Sequence, residues 1–135
     1  MSDGQEGREV EGGCLCGRVR LAARGLREVV YCHCGQCRKQ TGHFYAATGA
    51  LDANLRVTGA DEITWYAASD EAKRGFCRHC GSALFWKANG SERTSILAGC
   101  LDAPTGLAAR SHIFVADKGD YYALDDGLPQ HPRSD

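Results

Sequence analysis

The hydrophobic pattern of this chain is typical of short β-strands. In residues 17 to 24, Val19, Leu21 and Ala23 alternate with three arginines, which is the period of a strand with one buried face. Seven further runs of β-branched, aromatic and other apolar residues predict strands over residues 28–33, 43–50, 54–59, 62–67, 82–88, 94–100 and 110–116. Glycine, aspartate and asparagine separate these runs and indicate turns between them.

Helical periodicity is nearly absent. No window of a dozen residues shows a 3.6-residue period. The best helical candidates are a turn or two in GQCRKQT, residues 35–41, and another in ASDEAKRG, residues 68–75. The sequence therefore predicts a mainly β fold of antiparallel sheets with at most short helical turns.

The chain length of 135 residues predicts a single domain. The polar residues 1–11 are expected to form a disordered tail, residues 12–130 the domain, and residues 131–135 a loose end, because apolar residues stop after Leu128. The first residues lack the apolar segment of a secretory signal, and no apolar run is long enough to cross a membrane. The predicted location is therefore cytoplasmic, with no membrane partner.

The charges are balanced. There are 16 Lys and Arg against 17 Asp and Glu, which gives a net charge of -1, and no run of like charge reaches five. A protein that binds nucleic acid usually carries a basic patch or stripe. The composition therefore argues against a nucleic-acid partner.

Eight cysteines are the strongest chemical signal in the sequence. In a reducing compartment thiols stay reduced, so this usage indicates metal binding or catalysis rather than disulfides. Seven of the eight fall into three groups with glycine beside each: Cys14-x-Cys16, Cys32-x-Cys34-x2-Cys37 and Cys77-x2-Cys80. Glycine permits the sharp backbone turns by which two neighbouring thiolates converge on one ion.

Seven thiolates divide naturally into four plus three. Four close a tetrahedral structural zinc site, whereas three leave the fourth position open, as in a catalytic site. One partition joins the two C-x2-C motifs, as zinc ribbons do, and leaves Cys14, Cys16 and Cys32 over. The other gives the open site to Cys32, Cys34 and Cys37 because one short segment carries all three. Spacing alone leaves both partitions open.

The motifs GGCLCGRVR, YCHCGQCRKQTG, FCRHCGSALF and HIFVADKGDYYALDDGLP closely resemble the glutathione-dependent formaldehyde-activating enzyme family. The resemblance covers roughly residues 12 to 130 and implies the β-tent fold that this family shares with centromere protein V. It also implies two zinc ions per chain, of which the second need not be fully occupied. The structural zinc would be held by Cys14, Cys16, Cys77 and Cys80, and the catalytic zinc by Cys32, Cys34 and Cys37.

The chain departs from the family pattern in two respects. It is shorter than the founding enzymes, and Tyr121 and Tyr122 stand where the pattern has a late tryptophan. The activity that the resemblance implies is that of a carbon–sulfur lyase, similar to S-(hydroxymethyl)glutathione synthase. Such an enzyme binds a thiol such as glutathione and adds it to, or releases it from, a small aldehyde such as formaldehyde.

A few other residues are candidates for the site. Arg38 and Lys39 follow the last central cysteine and can pair with the carboxylates of a tripeptide thiol; a solvated turn is the competing interpretation. His33 lies between two predicted ligands and His79 lies inside the last motif; ligation by either histidine is disfavoured because the adjacent cysteines already point at the ion, and His33 is a candidate for handling protons. Cys100 stands alone and is interpreted as a buried thiol, the alternative being contact with the central zinc.

A second class of function fits the same cysteines. A zinc-stabilised binding module or thiol carrier needs the metal sites but no chemistry. An enzyme needs a cleft at the central cysteines, whereas a binding module needs a wide apolar surface patch elsewhere.

Overall fold

A computed structural model describes residues 7–134, and all structural statements below concern this part of the chain. It contains one α-helix, α1 (Gly35–Thr41), and four 3-10 turns at Asp52–Asn54, Ala60–Glu62, Ala98–Cys100 and Val115–Asp117. The ten strands of these residues are β1 (Val10–Gly13), β2 (Arg20–Ala23), β3 (Val29–Cys32), β4 (Tyr45–Leu51), β5 (Leu55–Thr58), β6 (Ile63–Tyr66), β7 (Ala72–Cys77), β8 (Ala83–Ala88), β9 (Arg93–Leu97) and β10 (Ala109–Ile113).

The strands form two sheets. A three-stranded sheet has the order β1-β2-β5, and a seven-stranded sheet has the order β10-β3-β4-β9-β8-β7-β6. Every pairing is antiparallel except that of β3 with β10, which is parallel. The prediction of a mainly β fold of antiparallel sheets is confirmed, and the pairing of β3 with β10 is the one parallel strand pair in the described residues.

The main core unites residues of both sheets. As the alternation in residues 17 to 24 predicts, Val19, Leu21 and Ala23 are buried, while the Arg20 side chain is 43% exposed. The buried side chains of this core are Val10, Cys14, Val19, Leu21, Ala23, Leu26, Ala50, Cys77, Leu84, Phe85, Ile96 and Leu101. Two cysteines of the predicted structural zinc site thus belong to the core itself.

Two elements differ from the sequence prediction. Val10 and Glu11, assigned to a disordered tail, pair with β2 in β1, and residues 1–6 of that tail lie outside the described residues. The stretch 68–75, predicted as a helical turn, enters β7 at Ala72 instead. Its Glu, Ala, Lys and Arg are good helix formers, but hydrogen bonding to β6 and β8 on either side outweighs that preference.

The C-terminal end is held by backbone hydrogen bonds. The sequence predicts a loose end from residue 131, but His131 donates to the His112 carbonyl, and its own carbonyl accepts from Val115. Pro132 and Arg133 accept from Ala116 and Phe114. Residues 131–133 thus pair with the stretch that follows β10, and Asp135 lies outside the described residues.

No helix in residues 7–134 has the length and apolar character needed to cross a membrane.

Candidate functional site

The structure gathers seven cysteine sulfurs into two groups. Cys14, Cys16, Cys77 and Cys80 form one group, called the four-cysteine cluster, and their Sγ atoms all lie within 4.8 Å of one another. The other group, called the three-cysteine cluster, contains Cys32, Cys34 and Cys37, and their Sγ atoms also lie within 4.8 Å of one another. The zinc-ribbon pairing of the two C-x2-C motifs is not formed by these residues.

The four-cysteine cluster is built from two tight turns on distant segments. Gly17 and Gly81 directly follow the second cysteine of each turn, and both have a positive φ, of 85° and 79°. Their amides close the turns by donating to the Cys14 and Cys77 carbonyls. Glycine is needed here because the left-handed conformation is costly for other residues.

Hydrogen bonds to sulfur prepare this cluster for anionic thiolates. The Val19 amide donates to Cys14 Sγ at 3.2 Å, and the His79 amide lies 3.4 Å from Cys77 Sγ. The Ser82 hydroxyl lies 3.3 Å from Cys80 Sγ, and together with backbone amides it lowers the pKa of Cys80 to about 5. A group with a thiolate at neutral pH is suited to metal binding.

The three-cysteine cluster lies where a strand turns into a helix. Cys32 ends β3, Cys34 is the N-cap of α1, and Cys37 lies in its first turn. The Cys37 amide donates to Cys34 Sγ at 3.4 Å, as in an ordinary side-chain cap. Hydrogen bonds from the Cys32 and Cys37 thiols lower the pKa of Cys34.

Arg74 is a buried cation beside this cluster. It lies on β7 with 5% of its surface exposed, and its Nη2 and Nη1 atoms are 3.6 and 3.7 Å from Cys37 Sγ. The side-chain oxygens of Gln36 and Gln40 on α1 accept from the same guanidinium at 3.3 and 3.0 Å. Arg74 carries no signal in the sequence, because 37 residues separate it from Cys37 and no local motif marks it.

Unpaired polar atoms collect around the same cluster. Among the described residues, four buried side-chain N or O atoms lack a hydrogen-bond partner, and three of them are Arg38 Nε, Tyr45 Oη and Arg74 Nε. Tyr45 pairs with Cys32 across β3 and β4 and packs against the cysteines. Burial raises the pKa of Tyr45, so its hydroxyl keeps its proton. Unpaired buried donors are rare in proteins and indicate a place for a ligand or water.

A cleft of about 580 Å³ adjoins Arg74. This volume is typical of sites for small molecules. Its lining combines the polar groups of Gln36, Lys39, Gln40 and Arg74 with Tyr66, Ala68, Phe76, Gly81 and Ala83. None of the three cluster cysteines lines this cleft; Arg74, whose guanidinium contacts Cys37, lies between the two.

Both clusters could hold a metal ion, and the sulfur spacing of the four-cysteine cluster matches a tetrahedral site. Four sulfurs at about 2.3 Å from a tetrahedral ion stand about 3.8 Å from one another. The sulfurs of Cys14 and Cys16 are 3.6 Å apart, and those of Cys16 and Cys77 are 3.7 Å apart. Four thiols close such a site, whereas three thiols leave one position free.

The remaining sequence candidates have separate environments. His33 is fully buried and bonded at both ring nitrogens, to Tyr122 and His112. His79 pairs with Glu62 at 2.6 Å. Cys100 belongs to neither sulfur group; it packs against the main core, and burial raises its pKa to about 12. Lys39 lines the cleft.

Comparisons with known proteins agree with this architecture. The chain is 29% identical over 117 residues to a Schizosaccharomyces pombe protein named as an uncharacterised lyase, and the match covers 84% of each chain. The crystal structure of a Rhodobacter sphaeroides protein has a TM-score of 0.59, with 23% identity, over 90% of this chain and 98% of that one. The sequence profile of the glutathione-dependent formaldehyde-activating enzymes matches residues 9–117. The chain therefore belongs to the glutathione-dependent formaldehyde-activating enzyme family.

Proposed function

We propose that this protein is a zinc-dependent carbon–sulfur lyase that joins a thiol such as glutathione to a small aldehyde such as formaldehyde, or separates the two. The three-cysteine cluster carries the proposal, because three converging thiols lie beside a buried arginine and unpaired donors. Membership of the family and the lyase name of the yeast relative support the reaction class.

The two clusters have different roles in this proposal. Cys14, Cys16, Cys77 and Cys80 hold a structural zinc, and Cys32, Cys34 and Cys37 hold the catalytic one. When bound at the three-cysteine cluster, zinc supplies a positive centre that favours the thiolate form of a substrate thiol at neutral pH. Three thiolates and a divalent ion have a total charge of -1. Such a site would bind a soft, exchangeable fourth ligand, such as a thiol, better than it would activate water.

Arg74 offsets this negative charge. Its guanidinium contacts Cys37 Sγ and is fixed by Gln36 and Gln40. A buried positive charge lowers the cost of bringing an anionic thiol next to three cysteine sulfurs. We therefore assign Arg74 to binding the thiolate form of the substrate.

The reaction forms a carbon–sulfur bond and requires one proton for the aldehyde oxygen. The substrate thiol gives up its proton, the sulfur forms a bond to the aldehyde carbon, and the π electrons of the carbonyl move to oxygen, which takes up one proton; the reverse sequence releases the aldehyde. The Tyr45 hydroxyl is a buried donor without a partner among the described residues, and we assign it to hydrogen bonding with this oxygen. Donors aimed at a developing oxyanion are a large source of catalysis.

The cleft supplies the contacts for the rest of the thiol. Lys39 and the Gln36 and Gln40 amides offer donors to carboxylates and peptide carbonyls, while Tyr66 and Phe76 offer apolar surface. Arg38 follows Cys37 and is a second candidate for carboxylate binding. This mixed lining suits a small peptide thiol better than a purely apolar one.

Exchange spectroscopy tests the proposal. Nuclear magnetic resonance can follow the exchange of ¹³C-labelled formaldehyde with its glutathione adduct, and the zinc-loaded protein should accelerate this exchange. Cys37→Ser should abolish the acceleration, whereas Cys100→Ala, which changes a thiol outside both clusters, should retain it. If the protein accelerates the exchange of formaldehyde with none of the thiols tested, or if Cys37→Ser still accelerates it, the protein is a binding module or a thiol carrier instead.

A further inference from the structure

A chain of hydrogen bonds runs behind the three-cysteine cluster from the surface to Tyr122. Asp126 Oδ2 lies 2.8 Å from His112 Nε2, and His112 Nδ1 lies 2.8 Å from His33 Nε2. His33 Nδ1 then lies 2.6 Å from the Tyr122 hydroxyl. Four side chains from three separate segments thus form one continuous path.

The two histidines at the centre of this path are sealed from solvent. His33 is 0% exposed and His112 is 1% exposed, whereas the Asp126 side chain is 43% exposed. The Phe44 ring packs at 4.7 Å from His33, and Tyr31 packs at 5.1 Å from His112. Because a buried ring nitrogen without a partner is costly, the direction of each hydrogen bond matters.

The Asp126 carboxylate sets the direction of the whole path. The Leu128 amide and His112 lower its pKa, so it is ionised and only accepts. His112 therefore carries a proton on Nε2, and as a neutral ring it presents a bare Nδ1 that accepts from His33 Nε2–H, 2.8 Å away. In this order His33 Nδ1 is bare, and it accepts the proton of the Tyr122 hydroxyl, which lies 2.6 Å away. Each ring is thereby fixed in the Nε2–H tautomer.

The middle of this path is part of the cysteine segment. His33 stands between Cys32 and Cys34, and its amide donates to the Ile113 carbonyl on β10. In extended backbone, successive side chains point to opposite sides, so anchoring the His33 ring fixes the peptide that carries both neighbouring sulfurs. Asp126 and His112 both lie in the C-terminal quarter of the chain. The family match ends at residue 117, so it includes His112 but not Asp126.

We propose that Asp126, acting through His112 and His33, is a positioning residue for the three-cysteine cluster. The order of protons along the path fixes the rotation of His33 and with it the spacing of the Cys32 and Cys34 sulfurs. The metal-binding part of this inference rests on the proposed function, whereas the order of protons does not.

Nitrogen-15 spectroscopy of the histidine rings tests the order directly. In the wild-type protein His33 and His112 should both be Nε2–H tautomers. Asp126→Ala should remove this preference, because no anion then fixes His112. Tyr122→Phe should retain it, because Tyr122 only donates at the far end. A wild-type His112 protonated on both nitrogens, or tautomers unchanged in Asp126→Ala, overturns the inference.

The cysteine segment provides the second readout, with Asp125→Ala as the matched control for a neighbouring exposed carboxylate. Asp126→Ala should shift the Cys32 and Cys34 resonances and speed metal release from the three-cysteine cluster on the order of tenfold, whereas Asp125→Ala should do neither. Metal release from the four-cysteine cluster should not change. Unshifted cysteine resonances in Asp126→Ala overturn the inference, while absence of metal at a wild-type three-cysteine cluster counts against the proposed function alone.

Discussion

The two cysteine clusters of this protein use the same ligand type in opposite ways. The four-cysteine cluster joins turns 61 residues apart in sequence, from Cys16 to Cys77, and two of its members belong to the main core. The three-cysteine cluster lies on one strand-to-helix segment and faces Arg74 and unpaired donors instead. The two clusters thus differ in the number of segments that they join as well as in the number of their thiols, and the four-cysteine cluster is the one that links distant parts of the chain.

The largest difference is expected in stability. Cys16 is exposed, so Cys16→Ser changes a ligand with little loss of packing. Structural zinc sites contribute about 10 to 16 kcal/mol of apparent binding free energy in small domains, which exceeds the stability of most domains. We expect Cys16→Ser to lose the cooperative thermal transition seen by circular dichroism. A variant with an unchanged melting temperature would show that this cluster does not hold the fold together.

Cys37→Ser is the matching change in the other cluster. We expect one metal ion fewer per chain by elemental analysis and loss of lyase turnover, with a smaller fall in melting temperature than Cys16→Ser shows. The physical reason is that α1 and β3 are adjacent in sequence and need no metal to meet. If Cys37→Ser unfolds the protein as completely as Cys16→Ser does, both clusters are structural.

Arg74→Gln sharpens the role of the cation. Hydrogen bonds to charged groups contribute about 1.5 to 3 kcal/mol, so we expect kcat/KM to fall on the order of 10- to 100-fold, mainly through weaker thiol binding. Steady-state kinetics against thiol concentration measures this effect. Arg78→Gln, an exposed arginine paired with Glu62, is the control and should leave kcat/KM unchanged.

Tyr45→Phe separates catalysis from stability. The change removes a buried hydroxyl that lacks a partner among the described residues, so unfolding in urea should show equal or slightly higher stability. Turnover should nevertheless fall on the order of tenfold if that hydroxyl binds the aldehyde oxygen. Tyr31→Phe serves as the control. Undiminished turnover in Tyr45→Phe would remove Tyr45 from the mechanism.

Lys39→Ala should give the smallest effect. Lys39 is exposed and lines the cleft, so its pairing with a substrate carboxylate contributes about 1 kcal/mol or less. We expect KM for glutathione to rise several-fold, and to rise less at high salt, with kcat unchanged. Lys73 does not line the cleft, so the control Lys73→Ala should leave KM for glutathione unchanged. Equal effects of Lys39→Ala and Lys73→Ala on KM would argue against a specific contact between Lys39 and the substrate.

The sequence was informative wherever the signal was local. Alternation and turn residues predict eight of the ten described strands, and glycine-flanked cysteine motifs mark every sulfur of both clusters. β7 was missed because its helix-forming residues become a strand only through pairing with β6 and β8. Arg74 and the Asp126 path were missed for the same reason, since their partners are distant in sequence and only the fold brings them together.

The central claim is that the three-cysteine cluster holds a metal with room for a thiol while the four-cysteine cluster is closed. Cobalt substitution tests it most directly, because the absorption of cobalt responds to each change of ligand. We predict two ions per chain, with added glutathione altering the absorption of one of them, and no such response in Cys37→Ser. A single ion per chain, or a spectrum indifferent to every thiol tried, would contradict the account.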